Sequence, residues 1–262
     1  MTPLPRVIPC LLMQSRRLVK TRCFQKGVYV GDPVNCIRIF NEKEVDELML
    51  LDIGASQEGQ GPDIRLLSQV TSECFMPLAY GGGIRSIQEM HDLFSIGIEK
   101  VVLNRQAADN PDLISSAAER FGSQSIVVSI DARKHRSGEY RVWTASGTRE
   151  TGYEASEFAA HVERMGAGEL LVTSIERDGT MSGYDLELIR RVTSAVNIPV
   201  IACGGGGTLE HLHDAVIHGG ASAAAAGSMF VFHGPHRAVL INFPPRAEIE
   251  RLFHFGILRP KA

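Results

Sequence analysis

Cysteine is scarce in this chain: five residues, Cys10, Cys23, Cys36, Cys74 and Cys203, are scattered with no Cys-x-x-Cys spacing among them. An odd, dispersed set builds neither a disulfide framework nor a thiolate metal site, and fits reduced thiols in a cytoplasmic protein. No apolar run approaches the roughly 20 residues of a membrane helix, so a soluble protein without a membrane partner is expected. Residues 1–6 hold two prolines and no long apolar core, so no signal peptide is read. Long basic runs are missing too, and the net charge is −3, which argues against nucleic acid as the main partner while leaving room for a local anion pocket. His211 and His213 stand two apart on an expected helix, point to different faces, and are read as surface histidines. Neither a metal nor a cofactor is expected.

Glycine, by contrast, is concentrated where it matters. The segments Pro77-Leu-Ala-Tyr-Gly-Gly-Gly-Ile84 and Pro199-Val-Ile-Ala-Cys-Gly-Gly-Gly-Gly207 each run from an apolar strand into consecutive glycines. Lacking a Cβ, glycine takes φ > 0 and lets backbone N–H groups approach a ligand closely, as a phosphate-cradling turn needs. One such turn is more often a tight connection; two copies point to a duplicated device.

Short apolar runs alternate with longer amphipathic stretches, the pattern of successive βα units. Strands are expected over residues 7–12, 47–52, 77–80, 100–103, 125–131, 169–173, 199–202 and 221–226, with helices over 33–40, 64–74, 87–96, 113–121, 155–165, 186–195 and 209–218. Eight units with no linker or change of composition fit an α/β fold of one domain over residues 1–262, a single (βα)8 TIM barrel with internal half-barrel duplication. A loop over the barrel top is expected between residues 24 and 32, a small hairpin after the fifth strand, and a tail beyond Phe243 that closes the other end. In such barrels chemistry sits at the C-terminal ends of the strands. Here those ends carry Asp52, the first glycine run, Asn104, Asp131, Thr173, the second glycine run, and Gly227-Ser228.

Leu51-Asp-Ile, Gly81-Gly-Gly-Ile, Ser129-Ile-Asp-Ala, Thr173-Ser-Ile-Glu-Arg-Asp-Gly-Thr-Met-Ser-Gly-Tyr-Asp185 and Ala202-Cys-Gly-Gly together resemble the cyclase subunit of imidazole glycerol phosphate synthase, from about residue 6 to about residue 232. The resemblance implies a half-barrel duplication that binds a ligand with a phosphate at each end. It also implies a glutaminase partner whose ammonia passes through the barrel to cleave and cyclise a formimino-linked ribonucleotide. Carried over by position, one phosphate would lie on Gly82, Gly83 and Asn104, the other on Gly179, Gly205, Gly227 and Ser228, with Thr173 also on the ligand. Lys20 would orient the substrate; its other reading is a solvated lysine in a mobile loop. Arg6, Glu47, Lys100 and Glu169 fall where the family places a ring of alternating charge at the ammonia entrance.

One position departs decisively. The family chemistry uses two carboxylates across the barrel top as general acid and base. Asp131 is one of them; the other should end the first strand, where this chain has Leu12. Arg105 stands where the family usually has a small hydroxyl residue, Cys203 where it has serine, and Thr21 where it has glycine. An altered top with a retained mouth resembles the paralogues associated with acetamidino modification of surface-polysaccharide sugars. These pair with a glutaminase homologue and deliver ammonia to a third, amidotransferase protein. The alternative is a working cyclase of histidine biosynthesis in which Asp131, with Asp52 or Glu176, moves both protons. The isomerase one step earlier shares the design, but Leu12 counts equally against it and the charged mouth favours the cyclase side.

Overall fold

The computed structural model describes residues 4–255. Residues 1–3, part of the segment read as carrying no signal peptide, and the end of the tail, 256–262, lie outside the described residues. Eight parallel strands form the barrel: β1 (Arg6–Gln14), β2 (Leu48–Asp52), β3 (Leu78–Gly81), β4 (Lys100–Leu103), β5 (Ile126–Lys134), β6 (Glu169–Ser174), β7 (Val200–Cys203) and β8 (Ala223–Ala226). They pair in chain order, β5 pairs with β6, and β8 returns to β1 with Arg6 opposite Ala223, so the eight-stranded barrel is closed. All eight expected strands are present, with ends shifted by a few residues.

Strands buried on both faces alternate between two apolar layers. Inside the barrel lie Ile8, Cys10, Met49, Ala79, Val102, Val127, Leu171, Ile201, Ala223 and Ala225. Their neighbours Val7, Leu48, Tyr80, Val101, Val128, Leu170 and Val200 face outward against the helices. The Ala-only strand β8 has little intrinsic β-propensity; its backbone is held between β7 and β1, where small side chains suit a crowded wall.

The outer helices are α1 (Pro33–Glu42), α2 (Ile64–Ser72), α3 (Ile87–Ser95), α4 (Asp112–Phe121), α5 (Ala155–Arg164), α6 (Leu186–Thr193), α7 (Leu209–Ile217) and α8 (Arg246–Phe255). Side-chain caps fix several starts: Asp32, Asp63 and Asp185 each accept a backbone N–H from the first turn of α1, α2 and α6. After both glycine runs the same cap recurs, Ser86 accepting from Glu89 N–H and Thr208 from His211 N–H.

The duplication is visible in the strands as well. β1 and β5 are four positions apart around the barrel, and each continues past the rim into antiparallel partners. Beyond β1, strands Arg17–Lys20 and Val28–Gly31 fold back, so the region expected as a loop carries its own strand at 28–31. Beyond β5, Tyr140–Thr144 and Arg149–Glu154 form the expected hairpin, enlarged because β5 itself supplies its first strand. Among the described residues, the tail does not close the opposite end. Helix α8 packs along α7 in the outer layer, with Phe253 stacked on His213 and Phe243 against Phe230. Apolar residues of the described part of the tail therefore cover the barrel flank. No helix among the described residues is long and apolar enough to cross a membrane.

Candidate active site at the C-terminal rim

A cavity of about 700 Å³ opens at the C-terminal ends of the strands. Asp131, Leu12, Lys20, Gly82, Gly83, Asn104, Thr173, Gly179, Gly205, Gly227 and Ser228 all line it. The glycine runs follow β3 and β7, four strands apart, and so stand on opposite sides. Gly82 and Gly83 have φ of 123° and 71°, Gly204 and Gly205 of 82° and 110°, a region only glycine occupies without strain. Contact enforces the same choice. A Cβ on Gly82 would lie 2.4 Å from the Asp52 carbonyl oxygen, and one on Gly205 2.2 Å from that of Gly183.

Lys20 is buried on the strand beyond β1, so it is no solvated loop lysine. Its Nζ donates to the Cys10 carbonyl oxygen and fills the space a side chain on Gly227 would need. Beside it the Ser228 hydroxyl is buried with no hydrogen-bond partner among the described residues. A cation, an unpartnered hydroxyl and glycine backbone therefore converge on one end of the cavity, a donor set suited to an anion.

Asp131 sits at the cavity wall, accepting from Asn104 Nδ2 at 3.1 Å and Ser129 Oγ at 3.3 Å. Burial outweighs these donors and pushes its pKa up to about 7. An acid whose folded pKa exceeds its unfolded one keeps a proton in the native state that the unfolded chain has released. Stability then falls as pH rises from the ordinary carboxyl range towards 7 and levels off above it. Asp131→Asn is accordingly expected to be more stable than the parent at pH 8, by as much as about 4 kcal/mol, and nearly equal to it at pH 4. Denaturant unfolding at the two pH values checks this, and equal stability at both would refute the buried-acid assignment.

A second carboxyl on this cavity escaped the sequence reading. Asp178, in the loop after β6, accepts from Thr21 Oγ1 at 2.9 Å, and burial raises its pKa against the opposing pull of the Lys20 charge. Its signal was present in the Glu176-Arg-Asp-Gly-Thr180 run following a strand end. What could not be read was which of the acidic residues turns inward. Glu176 is exposed. Asp52 lines the cavity, but its Oδ1 is occupied by the Gly54 and Ala55 N–H groups at 3.0 and 3.1 Å. Thr21 thus holds Asp178, while Arg105 reaches the rim and pairs with Asp109 at 3.2 Å. Leu12 and Leu51 pack on the inner layer beneath, with Cys10 and Cys203, and give the cavity an apolar floor.

At the opposite mouth, Arg6 bridges Glu47 and Glu169, and Lys100 bridges the same two carboxylates at 3.0 and 2.9 Å. The four expected charges form a closed alternating ring, with Glu47 and Glu169 buried. Between ring and cavity lies the apolar inner layer. His211 and His213, expected at the surface, are half-buried: His211 packs against Gly183 and His213 against Phe253. The added tail helix and the loop before α6 cover that side of α7.

The profile of the histidine biosynthesis protein family matches residues 6–236. A Pseudomonas aeruginosa protein, provisionally named imidazole glycerol phosphate synthase subunit hisF2, is 51% identical over 239 residues, 91% of this chain and 95% of the relative. A Leptospira interrogans protein provisionally named subunit HisF is 46% identical over 251 residues, 95% of this chain and 99% of the relative. The imidazole glycerol phosphate synthase subunit HisF of Caulobacter vibrioides is 46% identical over 228 residues, 87% of this chain and 88% of the relative.

Proposed function

We propose that this chain, which belongs to the histidine biosynthesis protein family and within it to the imidazole glycerol phosphate synthase subunit HisF group, receives ammonia from a glutaminase subunit and passes it on rather than using it for cyclisation. The observation that carries this reading is Leu12 on the cavity floor, at the position where paired proton transfer needs a carboxylate, in a barrel whose lower ring is complete. Leucine neither accepts nor releases a proton. General acid–base catalysis contributes typically 10²- to 10⁴-fold, so a cavity with one of its two facing carboxylates replaced is a poor cyclase.

The ring and inner layer suit conduction. Neutral ammonia crosses an apolar interior at little cost, whereas ammonium would have to leave its water shell. Arg6 and Lys100 are both engaged by Glu47 and Glu169 across the mouth, and a partner that competes for one carboxylate would loosen this ring. The acceptor implied by the paralogue resemblance is a separate amidotransferase acting on a surface-polysaccharide sugar, with a phosphorylated ligand at the rim reporting on the pathway. In co-reconstitution with a family glutaminase, the barrel is expected to stimulate glutamine hydrolysis without consuming the formimino ribonucleotide. Rapid consumption of that substrate would defeat the reading.

A second reading keeps the cyclase. It is favoured by Asp178, a half-buried carboxyl with a raised pKa that shares the cavity with Asp131 and leaves two candidate proton carriers in place.

Both readings keep the anion cradles. Gly205→Ala would force a Cβ against the Gly183 carbonyl at φ of 110°, displacing the turn. Inorganic phosphate affinity measured by calorimetry is expected to drop more than tenfold, consistent with about 1–3 kcal/mol of backbone strain. Unchanged affinity would remove this turn from the anion site.

A further inference from the structure

Helix α7 finishes, a few residues before β8 begins, in a group of side chains with no part in the chemistry above. His213 Nδ1 and His218 Nε2 each lie 3.8 Å from Asp214 Oδ1, and the three ligating atoms fall within 4.8 Å of one another. We infer that His213, Asp214 and His218 form a binding site for a divalent transition-metal ion of the zinc type.

The donor set defines the class. Two imidazoles and one carboxylate suit borderline ions such as zinc or cobalt and lack the all-oxygen shell that calcium or magnesium prefers. Ligands about 2.1 Å from a tetrahedral ion stand roughly 3.4 Å apart. The observed separations therefore close onto an ion through small side-chain rotations.

Two further features prepare the group. His213 is half-buried and stacked on Phe253 of α8, its ring 6.3 Å away at an interplanar angle of 22°, so one imidazole is already oriented by packing. Asp214 lies in the last turn of α7 and His218 caps its C-terminus; the Asp214 carbonyl accepts from the His218 and Gly219 N–H groups, and the negative end of the helix dipole favours a cation. Asp214 and His218 are partly open to solvent, leaving room for water in the remaining position. Binding would fix His213 against Phe253 and so clasp the tail helix α8 to the barrel. The spacing of His211 and His213 pointed away from a metal; the relevant partner of His213 lies instead at the helix end.

Cobalt(II) titration of the full chain tests the site, because the visible spectrum distinguishes nitrogen and oxygen ligands from the thiolates this chain also carries. One equivalent is expected to bind without a thiolate charge-transfer band. His218→Gln, at an exposed position that leaves folding undisturbed, and His213→Gln should each weaken binding at least tenfold. Zinc should raise the melting temperature of the parent and leave that of His218→Gln unmoved. Equal affinity in His218→Gln, or a band that disappears when the cysteines are alkylated, overturns the site. Glutaminase stimulation should be the same in His218→Gln and the parent, so this result stands apart from the ammonia reading.

Discussion

Leu12→Asp is expected to gain turnover of the formimino ribonucleotide with saturating ammonium salt, by about 10²-fold or more over the parent. β1 and β5 are four positions apart around the barrel, so a carboxylate at position 12 would face Asp131 across the cavity. Supplying ammonia directly removes the dependence on a partner. Leu12 is half-buried and pairs with Leu51 on the apolar floor, so the substitution should cost about 1–3 kcal/mol of stability and still leave a folded chain. Leu12→Asn keeps the shape without an ionisable group and should stay inert. If the parent turns over at an ordinary enzyme rate, the ammonia-conduit reading is wrong, and Asp178→Asn becomes the variant that identifies the second proton carrier. A parent and a Leu12→Asp variant that are both inert would mean that the cavity has been changed beyond the missing carboxylate.

Arg6→Ala should have the largest effect on stability. Glu47 and Glu169 are each only a few per cent exposed, and Arg6 and Lys100 share the neutralising of both. Removing one cation leaves two buried carboxylates around a single ammonium. Breaking such a network by deleting one partner typically costs about 3–5 kcal/mol. Denaturant unfolding at pH 7 measures the loss. Glutaminase stimulation should vanish together with the ring. A loss under about 0.5 kcal/mol would make the ring a solvated rim, and normal stimulation would sever it from the partner.

Much of this was legible in local patterns. The two glycine runs, the alternation of strands and amphipathic helices, and the polar residues at strand ends located the barrel, its rim and its duplication, because each rests on neighbours close in the chain. The departures that the family resemblance implies at Leu12, Thr21, Arg105 and Cys203 were legible in the same way. Less legible was the partner of each departure: Thr21 proved to hold Asp178, and Arg105 to pair with Asp109.

The chain by itself determined the order of its elements, the turns that require φ > 0, the charges at the strand starts and an aliphatic side chain, Leu12, near the end of the first strand. These follow from period, conformational freedom and residue chemistry, which act over a few positions. Only the tertiary structure decided that Asp178 rather than Glu176 turns into the cavity, that Lys20 is buried against Gly227, that the four mouth charges close into one ring, and that the tail lies along α7 beside His213. Burial and electrostatic pairing sum over residues brought together from distant parts of the sequence, so no local pattern carries them.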